Sequence, residues 1–466
     1  MEPRRDDWRA PLKTPQQERT AGTPWTVLAA GAVIVCAAVL GGFAAPSGDR
    51  TIVLIPVAGA LGLAVVALAA SRFELFVGFI ILIRASLDVV NLGSSTFDAA
   101  GAISVLFVGA SILWLLAERA GLAEPTRSST ETLLPPVAAF FGAALLSLAF
   151  STHPLESLLE VIRFGTLVVI VVVLGRLITD ERRMRLVLMA AIGSSIVPLI
   201  VAFSQLTSGE GYFTAAGLGR IRGTFLHSNP FAAYLFLMIT LIVSLYPHGS
   251  RRWKLALAGL GFACGGAMLM TYARGAWLAT ILAMVVIGVL QDRRVLGLLG
   301  MTLVVIALAV PSVGVRLSDL SETRKASGEP GNSLVWRIQY WQQVLTLQDN
   351  PLLGIGFKEV ELTNAAAKAP HNDPIRVYVE TGMIGLAAYV WLLVRLGVEA
   401  RTSLRRAPRG LPRGLAVAFA AAWTGFVVLS LTANVITQLV ILWYFVTIVA
   451  LATASSRFAP AEARTA

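Results

Sequence analysis

Few residues in this chain can do ionic chemistry, and those that can are unevenly placed. Arg220 and Arg222 stand one residue apart in GLGRIRGTFLHSNPF, just ahead of Asn229-Pro230. Arg274 lies in the short turn TYARGAW, Arg337 in VWRIQYW, and His371 in PHNDPIRVYVETG, which also carries Glu380. Guanidinium forks match phosphate oxygens two at a time, and a helix start adds N–H donors. The stretch from Arg220 to Asn229 therefore suits an anion such as a diphosphate, although long cationic side chains also reach for lipid headgroups. Arg274 sits where a charge is costly unless it is paired or wetted, which marks it for function or for anchoring the turn. An imidazole with an unperturbed pKa near ~6.5 suits a general base; the plainer reading of His371 is a solvated or capping loop residue. Asp373 is an N-cap candidate before Pro374, and Arg84 and Asp88 are spaced for a local ion pair. Glu380 is placed to steady an arginine, and Gly382 and Gly385 suit close helix packing.

The elements that must carry these residues follow from composition. Of 466 residues, 56% are hydrophobic and 14% charged, too few charges to cover a soluble protein of this length. Apolar runs recur at 25–45, 51–71, 73–90, 100–118, 133–151, 160–178, 184–206, 229–246, 252–271, 275–290, 294–314, 374–397, 413–434 and 436–453. At about 20 residues per crossing this predicts an all-α polytopic membrane protein with about 12–14 transmembrane helices. The organisation expected is a disordered cytoplasmic tail 1–24, transmembrane helices 25–314, one large extracytoplasmic loop 315–373, C-terminal transmembrane helices 374–453 and a cytoplasmic tail 454–466.

Orientation follows from charge. Arginine and lysine fill alternate connections, among them Arg182, Arg183, Arg251, Arg252, Arg293 and Arg294, whereas NLGSSTFDA, STHPL and NVI on the other side carry no positive charge. With an even number of spans, both termini lie in the cytoplasm. The net charge of +11 is thereby spent on loops facing anionic lipid, so no nucleic-acid partner is expected. Cys36 and Cys264 lie inside apolar runs and read as packing residues. The positive charges on the outer side run against the usual bias. They include Arg220, Arg222, Arg274, Arg316, Arg324, Lys325, Arg337, Lys358 and Lys368.

Within the large loop, Leu334, Ile338, Trp341 and Leu345 mark one face of an amphipathic helix, with Ser333 as its N-cap and Asn350-Pro351 as its stop. A second amphipathic piece at 155–164 is expected to lie in the outer interface. No Walker loop, GxGxxG fingerprint, HExxH or metal-holding carboxylate pair occurs, so neither metal nor cofactor is expected.

Four motifs occur in order: R-x-R-G-T-F-x-H-x-N-P-F-A, T-Y-A-R-G-A-W, W-R-x-x-x-W followed by N-P-L-L-G-I-G-F, and H-N with E-T-G-x-x-G beyond it. Together they resemble the O-antigen ligase and O-antigen polymerase superfamily of bacterial envelopes, over roughly 150–400. The resemblance implies a GT-C-like, metal-independent, inverting glycosyltransferase of the bacterial inner membrane, with its active site on the periplasmic side. It implies transfer of a glycan from undecaprenyl diphosphate to the hydroxyl of a glycan or glycolipid acceptor. The family's arginine before G-T-F matches Arg220, with Arg222 beside it; its S-R-G arginine matches Arg274, with Ala273 where serine is common. Its histidine matches His371, and its loop arginine matches Arg337. Two other classes fit the composition: a transporter for a small anion or organic solute, and a non-catalytic scaffold of an envelope assembly.

Overall fold

The computed structural model describes residues 62–87, 99–121, 128–209, 212–213, 219–318, 333–363 and 368–457. The tail 1–24, the span 25–45, Cys36, Asp88, Arg324 and Lys325 lie outside the described residues. Contacts divide the chain into two units, Met1–Phe76 and Val77–Ala466. In the first, helix α1 (Gly62–Ser71) precedes the opening turn of α2 (Phe73–Arg84).

The second unit is almost wholly helical. It continues through α3 (Ala99–Arg119), α4 (Leu134–Ser147), α5 (Pro154–Leu177), α6 (Glu181–Gly193) and α7 (Ile196–Ser208). Two short antiparallel strands, β1 (Tyr212–Phe213) and β2 (Gly219–Arg220), then lead to α8 (Ser228–Leu245), α9 (Arg251–Met270), α10 (Arg274–Leu290), α11 (Arg294–Ala309) and α12 (Pro311–Ser318). The loop holds α13 (Ser333–Leu345) and α14 (Glu359–Thr363); α15 (Asp373–Arg406), α16 (Leu411–Thr432) and α17 (Leu439–Ser455) follow.

Seven helical stretches among the described residues are long and apolar enough to cross a membrane, and four more are apolar but have 10–17 residues. The chain is a polytopic all-α membrane protein, as its composition predicts. Helices α8 and α17 carry no charged side chain and are buried on nearly every face, as an all-round apolar helix should be. Helix α16 packs against α8, α10, α15 and α17 and forms the hub of the bundle; α15 also packs along α4.

Several expected elements differ. The run 184–206 is two helices, broken at Ser194 and Ser195, and the run 294–314 breaks at Val310, where Pro311 begins a new helix. The piece at 155–164 is no separate interfacial helix but the first turns of α5, which Pro154 starts. Helix α15 runs on to Arg406, well into the Arg-rich connector. Helix α13 ends at Leu345, ahead of Asn350-Pro351.

Its faces are also reversed. Leu334, Ile338 and Leu345 are exposed, while Tyr340 and Val344 are buried against Val360 and Val379, with Trp336 and Tyr378 at the margin. Cys264 is buried in α9, consistent with a packing role.

Candidate functional site

The residues singled out for chemistry gather at one end of the bundle, where α16 ends, α10 begins and the loop docks. Each is held there by a local device in the sequence. Before Arg274, Thr271 Oγ1 donates to Met268 O at 2.6 Å, Tyr272 takes a left-handed φ of 50°, and Trp277 Nε1 reaches back to Met268 O at 3.0 Å. This reversal puts Arg274 at the first turn of α10 with its side chain half-buried. The next residue, Gly275, packs against Thr432 at the end of α16, where any Cβ would press on the threonine hydroxyl.

Arg220 lies beside that turn. Its Nε donates to Thr271 O at 2.6 Å, and its Nη2 donates to Asn229 Oδ1 at 2.7 Å. Asn229 thus supports Arg220 directly, from the first turn of α8. Arg222 Nη1 donates to Leu226 O at 3.2 Å. The turn between them and α8 is pinned by Gln205, whose Oε1 accepts from the N–H groups of Arg222 at 3.0 Å and Gly223 at 2.9 Å. Gly223 has φ 56°, and a Cβ there would press on Pro198 O and the Phe231 ring.

Arg337 comes down from α13 and donates to Thr432 O at 2.9 Å. The aromatic residues of that helix hold the strand leading to the histidine. Trp341 Nε1 donates to Pro370 O at 2.6 Å, and Tyr340 OH donates to Lys368 O. Trp341 therefore works as a donor, not as the apolar contact its spacing suggests. His371 is half-buried, and its ring is bonded to Asn434, just past α16, at 3.0 Å. Burial, then the positive field of Arg337, with Arg376 and Lys368 adding to it against Glu361, brings the imidazole pKa down to about 4.

So Thr432 touches both the Arg274 turn and Arg337, and Leu431 and Asn434 on either side of it hold Asn372 and His371. Arg274, Arg337 and His371 meet around the end of α16, and Arg220 joins them through Thr271.

Asp373 does not cap α15. Asn372 does, accepting from Ile375 N at 3.0 Å, while Asp373 is buried and accepts from Ile436 N at 3.2 Å. Glu380 does steady an arginine, but one the spacing argument passed over. Arg376 is 1% exposed and is bound by Glu380 at 3.1 Å and Glu361 at 2.7 Å. The i, i+4 spacing of Arg376 and Glu380 is the signal the sequence offers.

Glu359 carries no such signal. Buried beneath the turn 151–153, its carboxylate accepts from Ser151 Oγ at 2.5 Å, Thr152 Oγ1 at 2.9 Å, His153 N at 2.6 Å and His153 Nδ1 at 3.0 Å. Burial alone would raise its pKa; these donors outweigh it and hold the carboxyl below its ordinary value. No sequence spacing links Glu359 to residues some two hundred positions earlier.

A bundle of membrane-spanning helices whose loop docks beside half-buried arginines and an imidazole defines a polytopic membrane protein with a cationic end. Residues 259–390 match the model of a family described as O-Antigen ligase. The matched stretch holds Arg274, Arg337, His371, Arg376 and Glu380, and supports the O-antigen ligase and polymerase superfamily for this chain. No curated protein matches the chain.

Proposed function

We propose that this protein is a ligase- or polymerase-type membrane glycosyltransferase that moves a glycan from undecaprenyl diphosphate to an acceptor hydroxyl at the extracytoplasmic face. The observation that carries the reading is the convergence on the end of α16 of cations far apart in sequence. Arg220 and Arg274 grip the diphosphate from two sides, Arg222 guides it at the rim, and Arg337 adds positive field above. In a partly dry site such fixed charges stabilise the negative charge that develops as the diphosphate leaves the anomeric carbon. With arginines in that task the reaction needs no metal, and one direct displacement by the acceptor hydroxyl inverts the anomeric carbon. His371 faces the same space at the reacting end, and Glu380 keeps Arg376 and the histidine segment in place. The loop shapes the acceptor side, which receives a glycan or a glycolipid.

An apolar crevice supports a lipid-linked donor. It lies between α4, α5, α15, α16 and α17, and Ile436 lines it at the loop end. Ile436 is the residue whose N–H holds Asp373, two positions from His371. An isoprenoid chain entering sideways from the bilayer would thus run up to the arginine cluster.

The test is reconstitution with an undecaprenyl-diphosphate oligosaccharide, with and without an acceptor. Free lipid diphosphate and a product of higher mass are expected. Arg274→Ala should insert normally and lose transfer by at least a hundredfold, about 2.7 kcal/mol of transition-state binding. Wild-type transfer by that variant would remove the assigned role. Solute flux without bond formation would favour a carrier, although a carrier places its charges near the bilayer midplane, not at one end.

A further inference from the structure

Asn434 touches His371 twice, and the first contact decides the meaning of the second. The backbone N–H of His371 donates to Asn434 Oδ1 at 2.7 Å. A peptide N–H is always a donor, so this contact fixes which end of the Asn434 amide is oxygen. The other end, Nδ2, then faces His371 Nδ1 at 3.0 Å. An amide NH₂ is also only a donor, so Nδ1 must offer its lone pair. A neutral imidazole that accepts at Nδ1 carries its proton on Nε2. Turning the amide over would set its NH₂ against the peptide N–H, donor against donor, at the buried Asn434 side chain.

The backbone supports the same placement. His371 holds a left-handed φ of 54°, a conformation that side-chain-bearing residues seldom adopt. It is kept there by Asn434 on one side and, through the next residue, by Asn372 Nδ2 on Leu431 O at 3.3 Å. The ring orientation is therefore set from the end of α16.

We infer that Asn434 is a positioning residue that locks His371 in its Nε2–H tautomer, so that the imidazole meets the lipid-linked diphosphate as a hydrogen-bond donor and not as a base. The inference rests on the glycosyltransferase reading above and assigns the imidazole its part in it. A neutral N–H aimed at a diphosphate oxygen adds direction to the arginines' charge and needs no proton transfer by the ring. The bond from the anomeric carbon to the diphosphate breaks, its electron pair leaving with the diphosphate. The acceptor oxygen bonds to that carbon, and its proton passes to water. The charged groups acting on the ring are Arg337 from α13, Glu361 from α14, Arg376 from α15 and Lys368 just before it. Burial first, and then three cations against one carboxylate, keep the ring neutral, and Asn434 does so too, because a doubly protonated ring would turn Nδ1–H toward the amide NH₂.

The decisive variant is Asn434→Asp in the full-length protein reconstituted in lipid nanodiscs. The carboxylate can still accept from the His371 N–H, but its second oxygen now accepts from Nδ1–H and moves the lone pair to Nε2. That makes the ring a better base and removes the donor. Transfer from undecaprenyl-diphosphate oligosaccharide should fall at least tenfold at neutral pH. His371→Gln, which keeps an N–H and has no basic nitrogen, should retain more transfer than His371→Ala. An Asn434→Asp variant as fast as wild type, or a His371→Gln variant as slow as His371→Ala, would overturn the inference.

Nitrogen-15 NMR of histidine-labelled protein reads the tautomer without turnover. Nδ1 should be unprotonated in the wild type and protonated in Asn434→Asp, and the Nε2–H signal should move downfield on adding undecaprenyl diphosphate. A protonated wild-type Nδ1, or an Nε2–H indifferent to the lipid, would also overturn it. These signals present in a protein that makes no glycosidic bond would instead sink the transferase reading and leave the donor imidazole standing.

Discussion

Arg376 shows how much of this site is spent on holding its parts. A guanidinium at 1% exposure is tolerable because Glu380 and Glu361 lie at 3.1 and 2.7 Å. Removing one side of a buried pair leaves the other charge uncompensated, at about 3–5 kcal/mol, whereas replacing both with apolar groups is often near neutral. Arg376→Met should therefore lower the thermal unfolding temperature in detergent sharply, and Arg376→Met with Glu380→Met should recover most of the loss. A double variant no better than the single one would mean that the pair is not the unit. His371 gives a pH dependence of definite sign. Its folded pKa of about 4 lies below the unfolded value, so the unfolded chain binds a proton first as pH falls. Stability should drop from near pH 6.5 toward 4 and then level off, and the drop should shrink in His371→Gln when unfolding is followed at each pH. In the free protein this ring should impose no acid limb on kcat/KM above about pH 5. Residue types and spacing were enough to select Arg220, Asn229, Arg274, Arg337 and His371. They did not select Asn434, because its partner is 63 residues away and only the fold brings a plain amide to the imidazole.

Among the elements, the join between the loop and α15 depends most on local sequence. Helix α15 breaks at Gly382, with φ 66° and ψ −168°, and the segment after Asn350 fits into the break. Met383 N donates to Pro351 O at 2.8 Å and Ile384 N to Leu352 O at 3.3 Å, while Ile355 N and Gly356 N donate back to Val379 O and Glu380 O, each at 3.1 Å. A Cβ at Gly382 would collide with the Leu352 carbonyl, and one at Gly354 with the backbone of Glu380. The sequence shows these glycines, but helix packing is only part of their use: Gly382 makes room for another strand of backbone. Gly382→Ala should open this clasp and expose 351–363 to protease in a limited digest. Gly410→Ala is the control, since Gly410 also has a positive φ, 98°, but open space around it. It should show only backbone strain, about 1–3 kcal/mol, with the loop still protected. Equal cleavage of both variants would mean that the clasp does not hold the loop. The face of α13 was legible as a period but not as a direction. Leucine and isoleucine count as interior in a soluble helix, yet here Tyr340 and Val344 take the buried side. In a membrane protein an apolar stripe does not by itself point inward.

At the scale of the whole molecule, α16 ties the helix bundle to the candidate site. Its far faces are packed by α8, α10, α15 and α17, and its last turn and the residues just beyond hold Arg337, Asn372 and His371. The polytopic helical class was legible in composition, because apolar runs of crossing length leave few alternatives. The crevice was not, because the lining comes from five helices whose order in space no hydropathy pattern encodes. Val446 on α17 lines it, with Phe426 and Phe445 stacked at 4.5 Å nearby. If an isoprenoid chain occupies this space, filling it must weaken binding of a long-chain donor while leaving the arginine cluster intact. Val446→Trp should then raise KM for an undecaprenyl-linked donor about tenfold, roughly 1.4 kcal/mol, with kcat little changed. A donor truncated to two or three isoprene units should bind both proteins equally, because its tail ends before the inserted ring. Should the truncated donor suffer the same loss, the tryptophan is disturbing the bundle as a whole, and the tail must travel along a different face of α16.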